Sequence, residues 1–312
     1  MTQQDVVSEL LESIGMGGHA LGDDVAHIEV HENEVVGVHL VPGFEVDAES
    51  TPNGISAQIR VCEGAEIKRP VHICFGMLPE DGEQFIELDI RAEEGSSASV
   101  LAHCTFPNAR NIEHKMKAHI EIAPNASYKY FERHVHGEHG GVLVLPKAKV
   151  VVHEGAEFTT EFELLKGRAG KIDIEYDAIC HARSILEMTA RINGRADDNI
   201  KINEIGHLIG EDARAALISH LALRDAARAD ILNTLTANAR GARGHVDCKE
   251  IVLGEALAKA VPIVEVNHPA AHITHEAAIG SVDSKQLQTL MARGLDEDEA
   301  TEIIIEGLLS KK

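Results

Sequence analysis

A recurrence of about thirty residues constrains the fold of this chain more than any other feature. Small turn-forming pairs precede strand-like runs at Gly64-Ala65, Gly95-Ser96, Asn125-Ala126 and Gly155-Ala156, at successive offsets of 31, 30 and 30 residues. Weaker echoes stand at Ala182 and Ala213, again 31 apart. A fixed period of this size signals one supersecondary unit stacked many times, because a single unit cannot bury its own apolar face. Each unit has room for two or three short strands, and runs such as His27-Ile28-Glu29-Val30, Val36-Gly37-Val38-His39-Leu40 and Phe85-Ile86-Glu87-Leu88-Asp89-Ile90 alternate as strands do. Spacing alone leaves two architectures open, a parallel β-helix and a β-sandwich with regular turns. Composition favours the first. Of 312 residues 44% are hydrophobic, yet there is no Trp and only 3 Tyr and 7 Phe, so aliphatic side chains must fill the core. A thin solenoid lined by Val, Ile, Leu and Ala needs few rings, whereas a sandwich of this length would use more.

A solenoid exposes open edges at its ends, and helices can cover them. Residues 3–15 read as an amphipathic helix with Val6, Val7, Leu10, Leu11 and Ile14 on one face, ended by Gly15 and Gly17. Near the C-terminus, Asp283 is placed to cap a helix over 284–293 that ends at Gly294. Asp296 and Glu299 have capping-box spacing for a second helix to about Leu309, with Ala300, Ile303, Ile304 and Leu308 as its apolar face. The expected organisation is an N-terminal helical segment over 1–25, a β core over 26–280 and a C-terminal helical segment over 281–312.

Charge and cysteine usage narrow the partners. The 51 acidic and 29 basic residues leave a net charge of −22, which opposes binding to nucleic acid or to an anionic membrane surface. No apolar run is long enough to span a bilayer, and the acidic start Met1-Thr2-Gln3-Gln4-Asp5 lacks a signal pattern. Cys62, Cys74, Cys104, Cys180 and Cys248 are odd in number and form no C-x-x-C pair. A cytoplasmic, reducing location is expected.

No local catalytic signature appears. Gly167-Arg168-Ala169-Gly170-Lys171-Ile172 has the wrong spacing for a phosphate loop and lacks its hydroxyl, so the chain is not expected to bind ATP itself. Among 19 histidines the densest group is His134-Val135-His136-Gly137-Glu138-His139. In a strand His134 and His136 share a face and could meet one metal. The blander reading, a polar hairpin on the outer face turning at Gly140-Gly141, is preferred because His-rich tracts are compositional signals. Cys104, after the apolar run 98–102, reads either as a small buried hydrophobe or as a nucleophilic thiol supported by His103 or Arg110. Cys248, His272, His275 and Glu276 make the best constellation, since thiolate, imidazole and carboxylate suit iron or zinc better than magnesium or calcium. Two histidines three apart on a strand face opposite ways, so one site receives His272 or His275 but not both. A capping coil with polar edge residues explains the same residues equally well.

The segments Pro262-Ile263-Val264-Glu265-Val266, His275-Glu276-Ala277-Ala278, Ala292-Arg293-Gly294 and Glu299-Ala300 occur in the order that marks the C-terminus of the SufB/SufD family of iron–sulfur cluster assembly proteins, which the chain resembles. Cys104-Thr105-Phe106-Pro107 is similar to the family's Cys-Thr-Ala-Pro element, and His114 lies where a later family histidine falls. The likeness is dense over 240–308 and patchier over 95–240. It implies a right-handed parallel β-helix with terminal helices, pairing through β-helix ends, and recruitment of a SufC-type ABC ATPase by the C-terminal helices. It further implies a scaffold rather than an enzyme, holding a transient iron–sulfur cluster that passes to acceptor apo-proteins. By matching motifs, Cys104 would accept or relay sulfur, and Cys248, His275 and Glu276, with His272 beside them, would lie at the cluster-forming interface. Leu287, Leu290, Met291, Arg293, Gly294, Ala300, Ile303 and Ile304 would contact the ATPase. The chain departs from the family in its short N-terminal segment and in Leu287-Gln288-Thr289-Leu290, which replaces the family's Leu-Phe-Tyr-Leu helix start. It also has no cysteine in Gly254-Glu255-Ala256-Leu257-Ala258, where bacterial SufB has one. A compact chain with these motifs suggests a homodimer in place of a SufB–SufD pair. A SufD-like partner that stimulates the ATPase without holding a cluster is the alternative.

Overall fold

Apolar residues at every second position commit most of the chain to strands with one buried face. A computed structural model describes residue 22 and residues 24–310. The helix expected over 3–15 lies outside the described residues. The strands stack into a parallel β-solenoid of about 8 turns. One sheet begins with the antiparallel pair β1 (His27–His31) and β2 (Glu34–His39) and continues through β5 (Val71–Gly76), β7 (Ser97–Phe106), β9 (Ser127–His136), β11 (Glu157–Lys166), β13 (Ile185–Gly194), β15 (Arg214–Leu223), β17 (Arg243–Val252) and β19 (His272–Gly280). The other begins with the hairpin β3 (Phe44–Thr51) and β4 (Gly54–Val61). It continues through β6 (Asp81–Ala92), β8 (Asn111–Ile122), β10 (Val142–Val152), β12 (Lys171–Cys180), β14 (Asn199–Leu208), β16 (Arg228–Ala237) and β18 (Leu257–Val266). Each coil therefore contributes one strand to each sheet, and the sandwich alternative is set aside by the parallel pairing of coil on coil.

The thirty-residue period is the coil itself. At the corner entering the first sheet, Gly64, Gly95, Asn125, Gly155, Arg183, Asp212 and Gly241 all adopt positive φ, between 56° and 72°. The residue after each packs inward and is small, with Ser96, Ala126, Ala156, Ser184, Ala213 and Ala242 all buried. Each positive-φ residue donates its N–H to a carbonyl of the next coil, as Asn125 does to Glu154 at 3.0 Å and Asp212 to Arg240 at 2.9 Å. The echo expected at Ala182 is displaced, because the turn lies at Arg183-Ser184. There an arginine takes the left-handed conformation that glycine or asparagine holds at every other corner but Asp212.

Inward positions are mainly aliphatic, as the composition predicts, with Ile172, Ile200, Ile231, Leu217 and Val144 each at most 2% exposed. Burying such a side chain is worth about 1.5–3 kcal/mol. The expected uniformity fails at two depths, where Cys104, Glu132 and His134, and further along Glu204, Asn233, Ser219 and Cys248, also point inward and are buried.

Two helices follow the last strand: α1 (Ser284–Met291), capped by Asp283, and α2 (Glu297–Leu309), whose Asp296 and Glu299 form a capping box. Helix α1 stops two residues short of the expected end, with Ala292 as its C-cap and Gly294 at φ 99° in the turn. The apolar face of α2 differs from expectation. Ala300, Ile305 and Leu309 are buried, the last two against Ala222 on the outer face of β15, while Ile303 is 43% exposed. Glu302 on the same helix pairs with Arg224, one bond measuring 2.8 Å.

Candidate functional site

Among the described residues, nothing covers the last coil at the C-terminal end of the solenoid. There β18 and β19 each pair on one side only, and His272, His275, Glu276, Ile263, Val266 and Ile279 are exposed. Register places the sequence-predicted residues on this end. Val246 pairs with His275, Asp247 with Glu276 and Cys248 with Ala277, while His272 pairs with Arg243. Because side chains alternate, Cys248 and His275 share the inner face on adjacent strands, whereas Glu276 and His272 share the outer one. Cys248 and His275 therefore lie at diagonal register positions on one face, and Glu276 and His272 on the other. Glu276 instead lies 3.7 Å from Lys249 Nζ, which also holds Asp247 at 2.9 Å.

Cys248 lies beneath the last coil and is fully buried. Asn233 Nδ2, reaching across from the second sheet, lies 3.0 Å from Ser219 Oγ and 3.8 Å from Cys248 Sγ. Burial, then the nearby carboxylates of Glu250 and Asp247, push the Cys248 thiol up to about 12. Burial and Asp247 likewise raise Glu250 to about 7.

Between this end and the helices runs an open groove of about 1200 Å³, lined by Glu276 and Ile279 on one side and Leu290, Ile303, Ile304 and Leu308 on the other. Leu287 and Leu290 are half-buried, and Met291, Arg293 and Gly294 are exposed beside them. Ala300 is fully buried in the packing of α2, which removes it from any accessible surface in this conformation.

Cys104 lies far from this end in sequence and in coil number. It points into the solenoid from β7, opposite His134 on β9, with Glu132 on the same face and His114 facing them from β8 of the second sheet. One donor atom from each of the four residues lies within 4.8 Å of the others, and all four residues are buried. Burial, and next to it Glu132, hold the Cys104 thiol well above the ordinary thiol range, which favours its protonated form while the site is closed and holds no ion. His103, the neighbour in sequence, faces the opposite way and stacks on His72 at 5.7 Å between centroids. Arg110 pairs with Glu80 at 3.1 Å instead. The outer hairpin expected at 134–141 does not form. β9 ends at His136, and 137–141 carry the chain across to β10 with His134 and His136 buried inside. Nothing in the sequence singles out Glu132, and His134, which the hairpin reading places on the outer face, points inward.

Comparison with known proteins gives a consistent result. The family description "SUF system FeS cluster assembly, SufBD core domain" matches residues 77–308. An iron–sulfur cluster assembly SufBD family protein of Methanocaldococcus jannaschii is 40% identical over 314 residues, spanning 99% of this chain and 99% of the relative. One of Pyrococcus horikoshii is 33% identical over 309 residues, spanning 99% of this chain and 94% of its own length. A third, from Archaeoglobus fulgidus, is 28% identical over 80% of this chain and 67% of its own.

Proposed function

The chain belongs to the SufBD family of iron–sulfur cluster assembly proteins, and on that footing we propose that it is a non-enzymatic scaffold on which a cluster is built where two copies meet. The observation that carries this reading is the uncovered last coil, which sets an inward thiol and an imidazole on neighbouring strands at an open end. In the second sheet Pro262 stands in the terminal strand and removes an N–H from its edge. β19 has no proline, so its edge is the one suited to pairing. A two-fold pairing of β19 with its copy doubles every ligand type, since each protomer presents the same residues. Cys248 and His275 from both chains then make a mixed sulfur and nitrogen shell, with Glu276 and His272 on the outer face at its rim. Such a shell releases iron more readily than four thiolates, which suits a donor of clusters to acceptor apo-proteins.

Cys248 must exchange its proton for iron, and the coil above it must move aside or be remodelled by the pairing. A SufC-type ATPase docked on α1 and α2 would supply that motion, because the groove joins Glu276 directly to Leu290, Ile303 and Ile304. Cys104 would hold or relay sulfur only after a comparable opening. The buried state of Cys248 favours a second reading, a structural partner that stimulates the ATPase and holds no cluster.

Anaerobic reconstitution with iron and sulfide decides between them. On the scaffold reading the purified dimer develops cluster absorbance, and Cys248→Ala and His275→Ala each abolish it. Full absorbance in both variants removes these residues from the site. Absence of iron and sulfide in the wild type co-purified with its ATPase supports the structural partner.

A further inference from the structure

We infer that the solenoid interior contains a separate metal site, formed by Cys104, His114, Glu132 and His134, for a borderline-soft divalent transition ion such as iron(II) or zinc(II). The four donors come from three strands and from both sheets, so their meeting within 4.8 Å is not a by-product of the coil repeat. Ligand atoms around a tetrahedral ion at bond lengths of 2.0–2.3 Å stand about 3.3–3.8 Å apart. Closing on an ion therefore takes movements of about 1 Å, within the reach of side-chain torsions.

The hydrogen bonds around the histidines leave lone pairs suited to a cation. Arg168 O can only accept, so His136 Nδ1, at 2.9 Å, must carry a proton. His136 Nε2 is then an acceptor, and His134 Nδ1 donates to it at 3.1 Å. A neutral His134 consequently turns a bare Nε2 toward Glu132 Oε1, 2.7 Å away. Two acceptors in contact need a proton or a metal ion between them. Across the interior, Gln84 Nε2 donates to Glu32 O at 2.7 Å, which fixes its Oε1 as acceptor for His114 Nδ1 at 3.0 Å. His114 is thereby held in the same tautomer as His134, with Nε2 as its lone-pair nitrogen. An outer hydrogen bond that fixes Nδ1–H and frees Nε2 is the arrangement that orients metal-ligating histidines.

A proton shared by Glu132 and His134 would satisfy that contact, and the Cys104 thiol can donate to the same Oε1 at 3.8 Å. Glu132 Oε2 would remain buried without a hydrogen-bond partner, and such an atom costs about 1–3 kcal/mol. A divalent ion instead engages all four residues, and with one thiolate and one carboxylate the filled site carries no net charge. Neutrality matters in an interior walled by Phe106, 4.9 Å from His114, and Phe162, 4.6 Å from His134, between ring centroids.

The test uses the full chain, purified without oxygen, freed of metal by chelation, and titrated with cobalt(II) both folded and during refolding. The expected result is one tightly bound cobalt per chain with thiolate-to-cobalt charge-transfer absorption. That absorption is kept in Cys248→Ala and in a chain whose only cysteine is Cys104. It is lost in Cys104→Ser, and Glu132→Gln weakens cobalt affinity at least tenfold. Competition with iron(II) and zinc(II) identifies which ion the site prefers. No charge-transfer absorption in the wild type under either protocol overturns the inference, as does its persistence in Cys104→Ser or its loss in Cys248→Ala alone. These outcomes are independent of cluster reconstitution at the open end, so either site can fail without the other.

Discussion

Single residues inside this solenoid face an environment that penalises charge, and Glu204 reports it directly. Its carboxyl points inward beside Asn233 on the next coil, and Oε2 has no hydrogen-bond partner. Burial pushes its pKa up to about 8, against about 4.3 for an exposed glutamate. The folded state thus holds the proton more tightly than the unfolded state. The stabilising contribution of that proton is complete below about pH 4 and is lost as pH rises toward 8. Glu204→Gln should remove this loss. Relative to the wild type, the variant should gain on the order of 3 kcal/mol in unfolding free energy between about pH 5 and pH 8. Denaturant titrations at both pH values check this, and parallel profiles would show that Glu204 is ionised in the native state.

At the scale of elements, the corners and caps carry most of what the sequence discloses. Gly64, Gly95, Asn125 and Gly155 were legible as a repeat because a left-handed turn position selects unusual residues. Arg183 and Asp212 hold the same conformation without that signature, so the period faded although the geometry did not. The capping box at Asp296 and Glu299 was equally legible, since its chemistry is local. The face of α2 was not, because Ile303, Ile304 and Ile305 are consecutive and only the position of β15 decides which is buried. The interior cluster stayed hidden for a related reason. On β9 both faces mix ring and charge, with Tyr128, Tyr130, Glu132 and His134 on one and Lys129, Phe131, Arg133 and Val135 on the other, so alternation could not name the inner one. The corrected face of α2 gives a paired prediction. Ile305→Asp should detach the helix and cost roughly 3 kcal/mol, visible as early hydrogen exchange over 297–309. Ile303→Asp should change stability by less than about 0.5 kcal/mol and, on the docking proposal, weaken capture of a SufC-type ATPase at least tenfold. Equal ATPase binding by Ile303→Asp and wild type would place docking elsewhere.

For the whole molecule, the repeating coil fixes everything except where it stops. At the N-terminal end the antiparallel pairs β1–β2 and β3–β4 terminate both sheets. At the other end neither sheet is closed among the described residues, and exposed Ile263, Val266 and Ile279 lie there. On the homodimer proposal this end is the contact, and Ile279→Lys should convert a dimer in sedimentation into a folded monomer with the circular dichroism of the wild type. A wild-type chain that sediments as a monomer at micromolar concentration would remove the proposal. The bare edge of β19 also behaves like the growing face of a crystal, offering each arriving layer the same template as the last. On the homodimer proposal, two such faces brought together by a two-fold axis use up each other's template, and because the N-terminal ends are already terminated the stacking stops at two copies.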